Sequence, residues 1–303
     1  MTATGIGAPV RRKEDQRFIT GKGHYTDDHA RPAQTVAHFV RSPHAHAKLK
    51  RIDTKAAAAM PGVLAVYTGD DFALDKLGGL ICGWTVHSKD GSPMKMAPHP
   101  ALATGKVSYV GDAYAVVIAE TAAQARDAAE KIVTDFEVLP AIIDPADAQK
   151  KGAQQIHEVA PYNTIYDWHI GDPDANAAAM QRAKHITRLD FINNRLVPNA
   201  LEPRSAIAEY DPGGENFTLW TTSQNPHVAR LVISAFIGVA PAQMNRTTVQ
   251  YSLHMLGDEL PIPAEAGRCT MLARLRGVPT CLDGGLRVVT GLLRTQAQTD
   301  DMR

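Results

Sequence analysis

Three hydrophobic rhythms follow one another without a gap between Lys106 and Pro140. Ala113 to Ala119 is an unbroken apolar run, too short for a helix of its own, and it predicts a buried strand. Thr121 then stands at an N-cap position, and Gln124 three residues on can return a bond to its backbone N–H, so a helix starts there. Ala122, Ala125, Ala129 and Ile132 recur at helical spacing. An inward face made almost wholly of alanine predicts that this helix lies close against its sheet. In Thr134, Phe136 and Val138 the period changes to two, marking a second strand that Leu139-Pro140 ends.

The flanking chain is less regular. Residues 1–20 are rich in Gly, Pro and charge and predict an extended N-terminal segment, with turns following at Gly21-Lys22-Gly23 and Asp27-Asp28. Alternation from Thr35 to Asp53 predicts two short strands broken at Ser42-Pro43. Lys55 to Met60 reads as a helical turn, Val63 to Tyr67 as a buried strand, and Gly69 to Pro98 as a long, partly irregular excursion. A polar linker begins at Asp144. Beyond it, helix-like and turn segments run to about Lys184, and strands are predicted at Ile186 to Phe191, Ser205 to Tyr210 and Phe217 to Thr222. Asp211-Pro212-Gly213-Gly214 joins the last two as a hairpin. Asn225 to Gly238 reads as a helix with Pro226 in its first turn and Val228, Leu231, Val232 and Phe236 on one side. A strand that delivers Ser223-Gln224 to the mouth of a helix puts a polar side chain where a ligand can meet it. Gln224 is equally suited to capping that helix.

Composition narrows the class. With 303 residues, 44% apolar and 21% charged, the chain is an ordinary globular protein of about two domains. Its net charge of zero offers no basic face to nucleic acid and no acidic tail to a charged partner. No apolar run reaches the length of a membrane span and no secretory leader is evident, so the expected compartment is the cytoplasm. Cys82, Cys269 and Cys281 form no disulfide framework and no Cys-x-x-Cys pair. His38, His44 and His46 admit two readings. They could ligate a metal, since His44 and His46 would share a strand face, or they could line a turn, since no carboxylate or cysteine completes a ligand set nearby. There is no phosphate loop, GxSxG, HExxH or dinucleotide fingerprint. These features describe an α+β protein without stating its chemistry.

Six short blocks carry a resemblance. They are RKEDQRFITGKGHYTDD (12–28), FVRSPHAHA (39–47), PGVLAVYTGD (61–70), VSYVGDAYAVVIAET (107–121), NALEPRSA (199–206) and TTSQNPH (221–227). In this order they resemble the molybdopterin-binding large subunit of the xanthine dehydrogenase group, and within it the aerobic carbon monoxide dehydrogenase type. The resemblance implies an α/β hammerhead domain over 21–145, a linker over 146–162 and an incomplete molybdopterin-binding domain from 163 to 246. It implies a molybdenum–pterin cytosine dinucleotide, a small-molecule substrate oxidised with water as the oxygen source, and separate subunits carrying FAD and iron–sulfur clusters. The glutamine of the Ser-Gln-Asn-Pro-His block carries over onto Gln224 as a hydrogen-bond donor to the molybdenum centre. For Glu202-Pro203-Arg204 only proximity to the site is implied, with a structural ion pair as the other reading. No residue carries over as catalytic or as a metal ligand.

After Arg246 the pattern departs from the family. No Gly-Gly-Gly-Phe-Gly loop follows, and from Thr247 onward there is no lysine and one aromatic, Tyr251. A one-base frame shift in a GC-rich gene accounts for both facts. The other reading is a divergent tail with helices at Met271 to Arg276 and Leu286 to Arg294. Residues beyond about Gly238 are accordingly expected to pack poorly, and the chain to be inactive alone. The alternative role is a non-catalytic docking module built on the hammerhead domain.

Overall fold

The computed structural model describes residues 12–24, 26–192, 205–222, 226–250 and 280–282. The chain forms helix α1 (Asp15–Ile19), strands β1 (Thr35–Arg41) and β2 (Ala47–Asp53), helix α2 (Lys55–Ala58), strand β3 (Val63–Thr68) and helix α3 (Gly69–Leu74). Strands β4 (Lys106–Val107) and β5 (Ala113–Ala119), helix α4 (Ala122–Ala129), strand β6 (Val133–Val138) and helix α5 (Pro173–Arg182) follow. Strands β7 (Ala206–Asp211) and β8 (Asn216–Thr222), helix α6 (Pro226–Ile237) and strands β9 (Met244–Gln250) and β10 (Thr280–Leu282) complete it. One sheet has seven strands in the order β3-β5-β1-β10-β7-β8-β9, and a second has three in the order β4-β2-β6. The fold is α+β, as the sequence predicts.

The apolar run of β5 is buried at every position because both of its faces are covered. Val116 and Ile118 enter a core with Ala37, Phe39, Phe72 and Leu102. Val117 meets Ala57 of α2 and Ala128 of α4 on the other side. Helix α4 starts at Thr121, whose Oγ1 accepts from the Gln124 N–H at 3.3 Å. The Gln124 side chain does not return to the Thr121 backbone; its Oε1 accepts from the Thr121 hydroxyl at 2.8 Å. Its amide lies over Gly62, where a Cβ would stand 2.0 Å from Nε2. Gly62 also has φ +77°, and it is this backbone conformation that favours glycine here, since the flexible end of Gln124 could move aside.

β1 and β2 form where alternation predicts them, but they are not partners. β1 lies between β5 and β10 in the large sheet, while β2 pairs with β4 and β6 in the small one. The bend from Ser42 to His46 carries the chain from one sheet to the other, tied down by Ser42 N–H to Asp112 O and Gly111 N–H to Ser42 O, each 2.8 Å. His44 and His46 therefore sit in a bend rather than on one strand face.

Elsewhere local pattern misleads. Residues 15–19 of the expected extended segment form a short helix. Gly69–Leu74 is helical because Asp71 accepts from both the N–H and the hydroxyl of Thr68, at 2.7 and 2.8 Å, an N-terminal box. Ile186 to Phe191 is no strand; Leu189 and Phe191 are 78% and 77% exposed, and alternation without a neighbouring strand to pair with does not hold extended chain. Helix α6 turns Ala229, Ile233, Phe236 and Ile237 to the core and leaves Val228 and Leu231 exposed. Past Gly238 two described segments join the large sheet. β9 pairs parallel with β8 from Met244 to Gln250, and β10 lies between β1 and β7. The expected helices at Met271 to Arg276 and Leu286 to Arg294 fall outside the described residues.

One core joins the early and late strands. Phe72, Leu102 and Val116 share it with Phe217, Leu219, Ile233 and Phe236. Residues 146–162 fold back on themselves around Asn163, whose Oδ1 accepts from Ile156 N–H at 2.8 Å. Its Nδ2 donates to the carbonyls of Ala148 and Gln154, both at 2.9 Å.

Candidate functional site

The β7–β8 hairpin decides which residues meet. Its turn is closed by Gly213 N–H donating to Asp211 Oδ1 at 3.0 Å, and its register pairs Asp211 with Asn216 at one end and Ala206 with Thr221 at the other. Ala208, Phe217 and Leu219 are buried in the shared core, which fixes that register, because a slip of one residue would turn them outward. The described ends of the sequence blocks 199–206 and 221–227 therefore meet at the open end of the hairpin, at Ala206 and Thr221, and α6 begins at Pro226. Gln224, Glu202, Pro203 and Arg204 lie outside the described residues. Ser205, Thr221 and Pro226 mark where their segments leave and rejoin the framework.

Two described polar residues stand here, and both are buried. Ser205 and Thr221 are 4% and 1% exposed. The Thr221 hydroxyl donates to the Ser205 carbonyl at 3.2 Å, whereas the Ser205 hydroxyl is buried and has no partner among the described residues. Leaving such a group unpaired costs about 1–3 kcal/mol, so a polar ligand that accepts from it relieves the deficit. The peptide dipoles of a twelve-residue helix make the start of α6 favourable for electron-rich groups.

Two residues here carried no signal that sequence reasoning used. Ser205 sits inside the NALEPRSA block, but only the register reveals that its hydroxyl is buried at the mouth. Arg31 braces the hairpin from behind: its guanidinium donates to Glu209 at 3.0 Å and lies 4.8 Å from the centre of the Trp220 ring. A lone arginine in a polar stretch gives no hint of that. The histidines do not converge on the mouth. His46 Nδ1 is 2.9 Å from the Pro140 carbonyl, His44 packs edge-on against Phe136 at 4.9 Å, and His38 lies on β1 opposite Val117. Among the described residues no group of three His, Cys, Asp or Glu side chains could hold a metal ion. Nor is any described helix long and apolar enough to cross a membrane.

Comparison with known proteins gives the site its context. Residues 20–140 match the family model for the aldehyde oxidase and xanthine dehydrogenase a/b hammerhead domain. Residues 156–250 match that for the molybdopterin cofactor-binding domain. The carbon monoxide dehydrogenase large chain of Afipia carboxidovorans is 33% identical over 255 residues, covering 78% of this chain and 29% of its own length. The nicotine 6-hydroxylase large subunit of Paenarthrobacter nicotinovorans is 32% identical over 238 residues, covering 78% and 28%. Among solved structures, quinoline 2-oxidoreductase from Pseudomonas putida 86 superposes with a TM-score of 0.78 at 27% identity, covering 90% of this chain and 34% of that one. The chain thus spans under a third of the length of these two relatives.

Proposed function

The chain belongs to the family of molybdenum hydroxylase large subunits, and from that premise we propose that it supplies the hammerhead unit and the first part of the cofactor domain of an oxidoreductase of the aerobic carbon monoxide dehydrogenase type. One observation carries the reading: Ala206 pairs with Thr221, so the described ends of two separate blocks of family-like sequence meet at a mouth that holds a buried hydroxyl with no partner among the described residues. The ligand of this mouth is a molybdenum–pterin cytosine dinucleotide. When bound, such a centre supplies the two-electron oxidation of a small substrate with water as the oxygen source.

The protein's own part is to hold and orient. Ser205 donates its hydroxyl to an oxygen of the ligand, and the start of α6 favours that oxygen's negative charge. Gln224 donates its side-chain amide toward the metal centre, where a neutral donor adds no charge. An FAD-binding medium subunit and an iron–sulfur small subunit accept the electrons, in the cytoplasm. The relatives are named for carbon monoxide and nicotine, so the substrate here is carbon monoxide, an aldehyde or a heteroaromatic compound. These 303 residues do not turn over substrate by themselves.

The test compares wild type, Ser205→Ala and Gln224→Leu, each purified from a host that makes the dinucleotide, by the pterin released per folded chain. Each variant is expected to retain about 2- to 10-fold less, the equivalent of one hydrogen bond. Equal retention in all three contradicts the assignment. Co-purification with an FAD subunit and no pterin in any of them supports a docking module instead.

A further inference from the structure

Arg31 reaches from one family-matched region onto the other. It lies within residues 20–140, while Glu209 and Trp220, the two side chains that its guanidinium meets, lie within 156–250. Its backbone is pinned. The Arg31 N–H donates to Gln34 Oε1 at 3.0 Å, and the Arg31 carbonyl accepts from the Gln34 N–H at 3.1 Å. This reciprocal pair closes a turn directly ahead of β1, a strand in the interior of the seven-stranded sheet. Just upstream, the helical turn at Thr26–Asp28 lies against both β7 and β8, and Thr26 is buried. Ala208, Phe217 and Leu219 face the shared core, so alternation puts Glu209 and Trp220 on the opposite face of the hairpin. Arg31 meets the hairpin on that face.

The register turns this contact into a cross-tie. Glu209 of β7 pairs with Thr218, and Trp220 of β8 pairs with Ile207, so Glu209 and Trp220 are diagonal neighbours on separate strands. One guanidinium joins them, donating to Glu209 at 3.0 Å and lying 4.8 Å from the centre of the Trp220 ring. A planar cation suits both contacts, since it can bond a carboxylate along its edge and stack its face on an aromatic ring. The hairpin turn already joins the strands at Asp211 and Asn216. At Ala206 and Thr221 no turn joins them, and fraying would begin there. Trp220 is the chain neighbour of Thr221, so the tie acts beside that end.

We propose that Arg31 is a positioning residue for the hairpin mouth: from the first family-matched region it ties β7 to β8 and holds Ser205 and Thr221 at the spacing in which the mouth takes its cofactor. That last step rests on the cofactor reading above; the tie itself does not. The first region thereby sets how firmly the second holds its ligand, without Arg31 touching that ligand.

The experiment uses the full chain from a host that makes the dinucleotide, as wild type, Arg31→Ala and Arg31→Lys, and reads both amide hydrogen exchange and pterin released per folded chain. Arg31→Ala is expected to raise exchange about tenfold in peptides from 205–211 and 216–222, the equivalent of one charge-assisted hydrogen bond, with β5 unchanged. Pterin retention should fall about 2- to 10-fold alongside. Arg31→Lys keeps the charge without the planar stack, so it is expected to lie between the two, and it carries the comparison if Arg31→Ala does not fold. Exchange raised equally in β5 and in the hairpin would mark a general stabiliser and overturn the proposal. Hairpin exchange at the wild-type level in the variants overturns it too, as does undiminished pterin retention beside raised exchange. Wild type without pterin would strike the cofactor reading, and the exchange of the variants would still decide whether the tie exists.

Discussion

Single polar side chains set the local structure where apolar packing is thin. Asn163 accepts one hydrogen bond and donates two in a stretch with few buried apolar groups, and it does so from a left-handed backbone, φ 54°, that asparagine accepts more readily than most residues. Asn163→Ala leaves Ile156 N–H and two carbonyls without their partner, and is expected to destabilise the loop by about 1–3 kcal/mol. Exchange at neutral pH should then rise across 148–163 but not in β5; unchanged exchange would show that other contacts, such as that of the Lys106 ammonium with the Ile156 carbonyl, hold the loop. Gly62→Ala is a harsher change, because the φ of +77° disfavours any side chain and the new methyl must also push the end of Gln124 aside. Its expected cost is about 1–3 kcal/mol, measurable as a lower denaturant midpoint. The double variant Gly62→Ala/Gln124→Ala should recover part of it, since only the contact and not the backbone strain is relieved.

Elements show how far local pattern reaches. β5, α4 and the β7–β8 hairpin stand where the sequence places them, since each has its own punctuation: an apolar run, Thr121 at a cap, Asp211 to Gly214 at a turn. Three of the misses share one cause, which is that partners and not patterns decided them. Nothing in 35–53 says that β1 and β2 join different sheets. Ile186 to Phe191 alternates as well as a strand does but has no strand beside it among the described residues. α6 is apolar on more than one side, and Phe72 and Leu102 across the core select Ala229, Ile233, Phe236 and Ile237 over Val228 and Leu231. The mouth was half legible: its two blocks are visible in the sequence, but their meeting depends on hairpin register, and Ser205 gains its meaning only from burial. Phe236→Ala is therefore expected to cost about 3–5 kcal/mol, and Leu231→Ala, on the same helix, less than about 0.5 kcal/mol. Denaturant unfolding of the pair checks it, and equal losses would mean that α6 is turned the other way.

Across the whole molecule, one hydrophobic core ties the strands before residue 120 to those after residue 205, and the seven-stranded sheet runs through both. The two family-matched regions consequently share their largest core cluster, beside two smaller clusters that belong to the first region. Far-ultraviolet dichroism and tryptophan fluorescence should trace a single unfolding transition, which Phe236→Ala shifts for both probes together; two separated transitions would show independent units. That shared core also holds the hairpin at whose open end the cofactor site is proposed. The most direct measurement is molybdenum and released pterin on the folded wild-type chain, purified from a host that makes the dinucleotide. The account predicts both, in equal molar amounts; a folded chain carrying neither contradicts it.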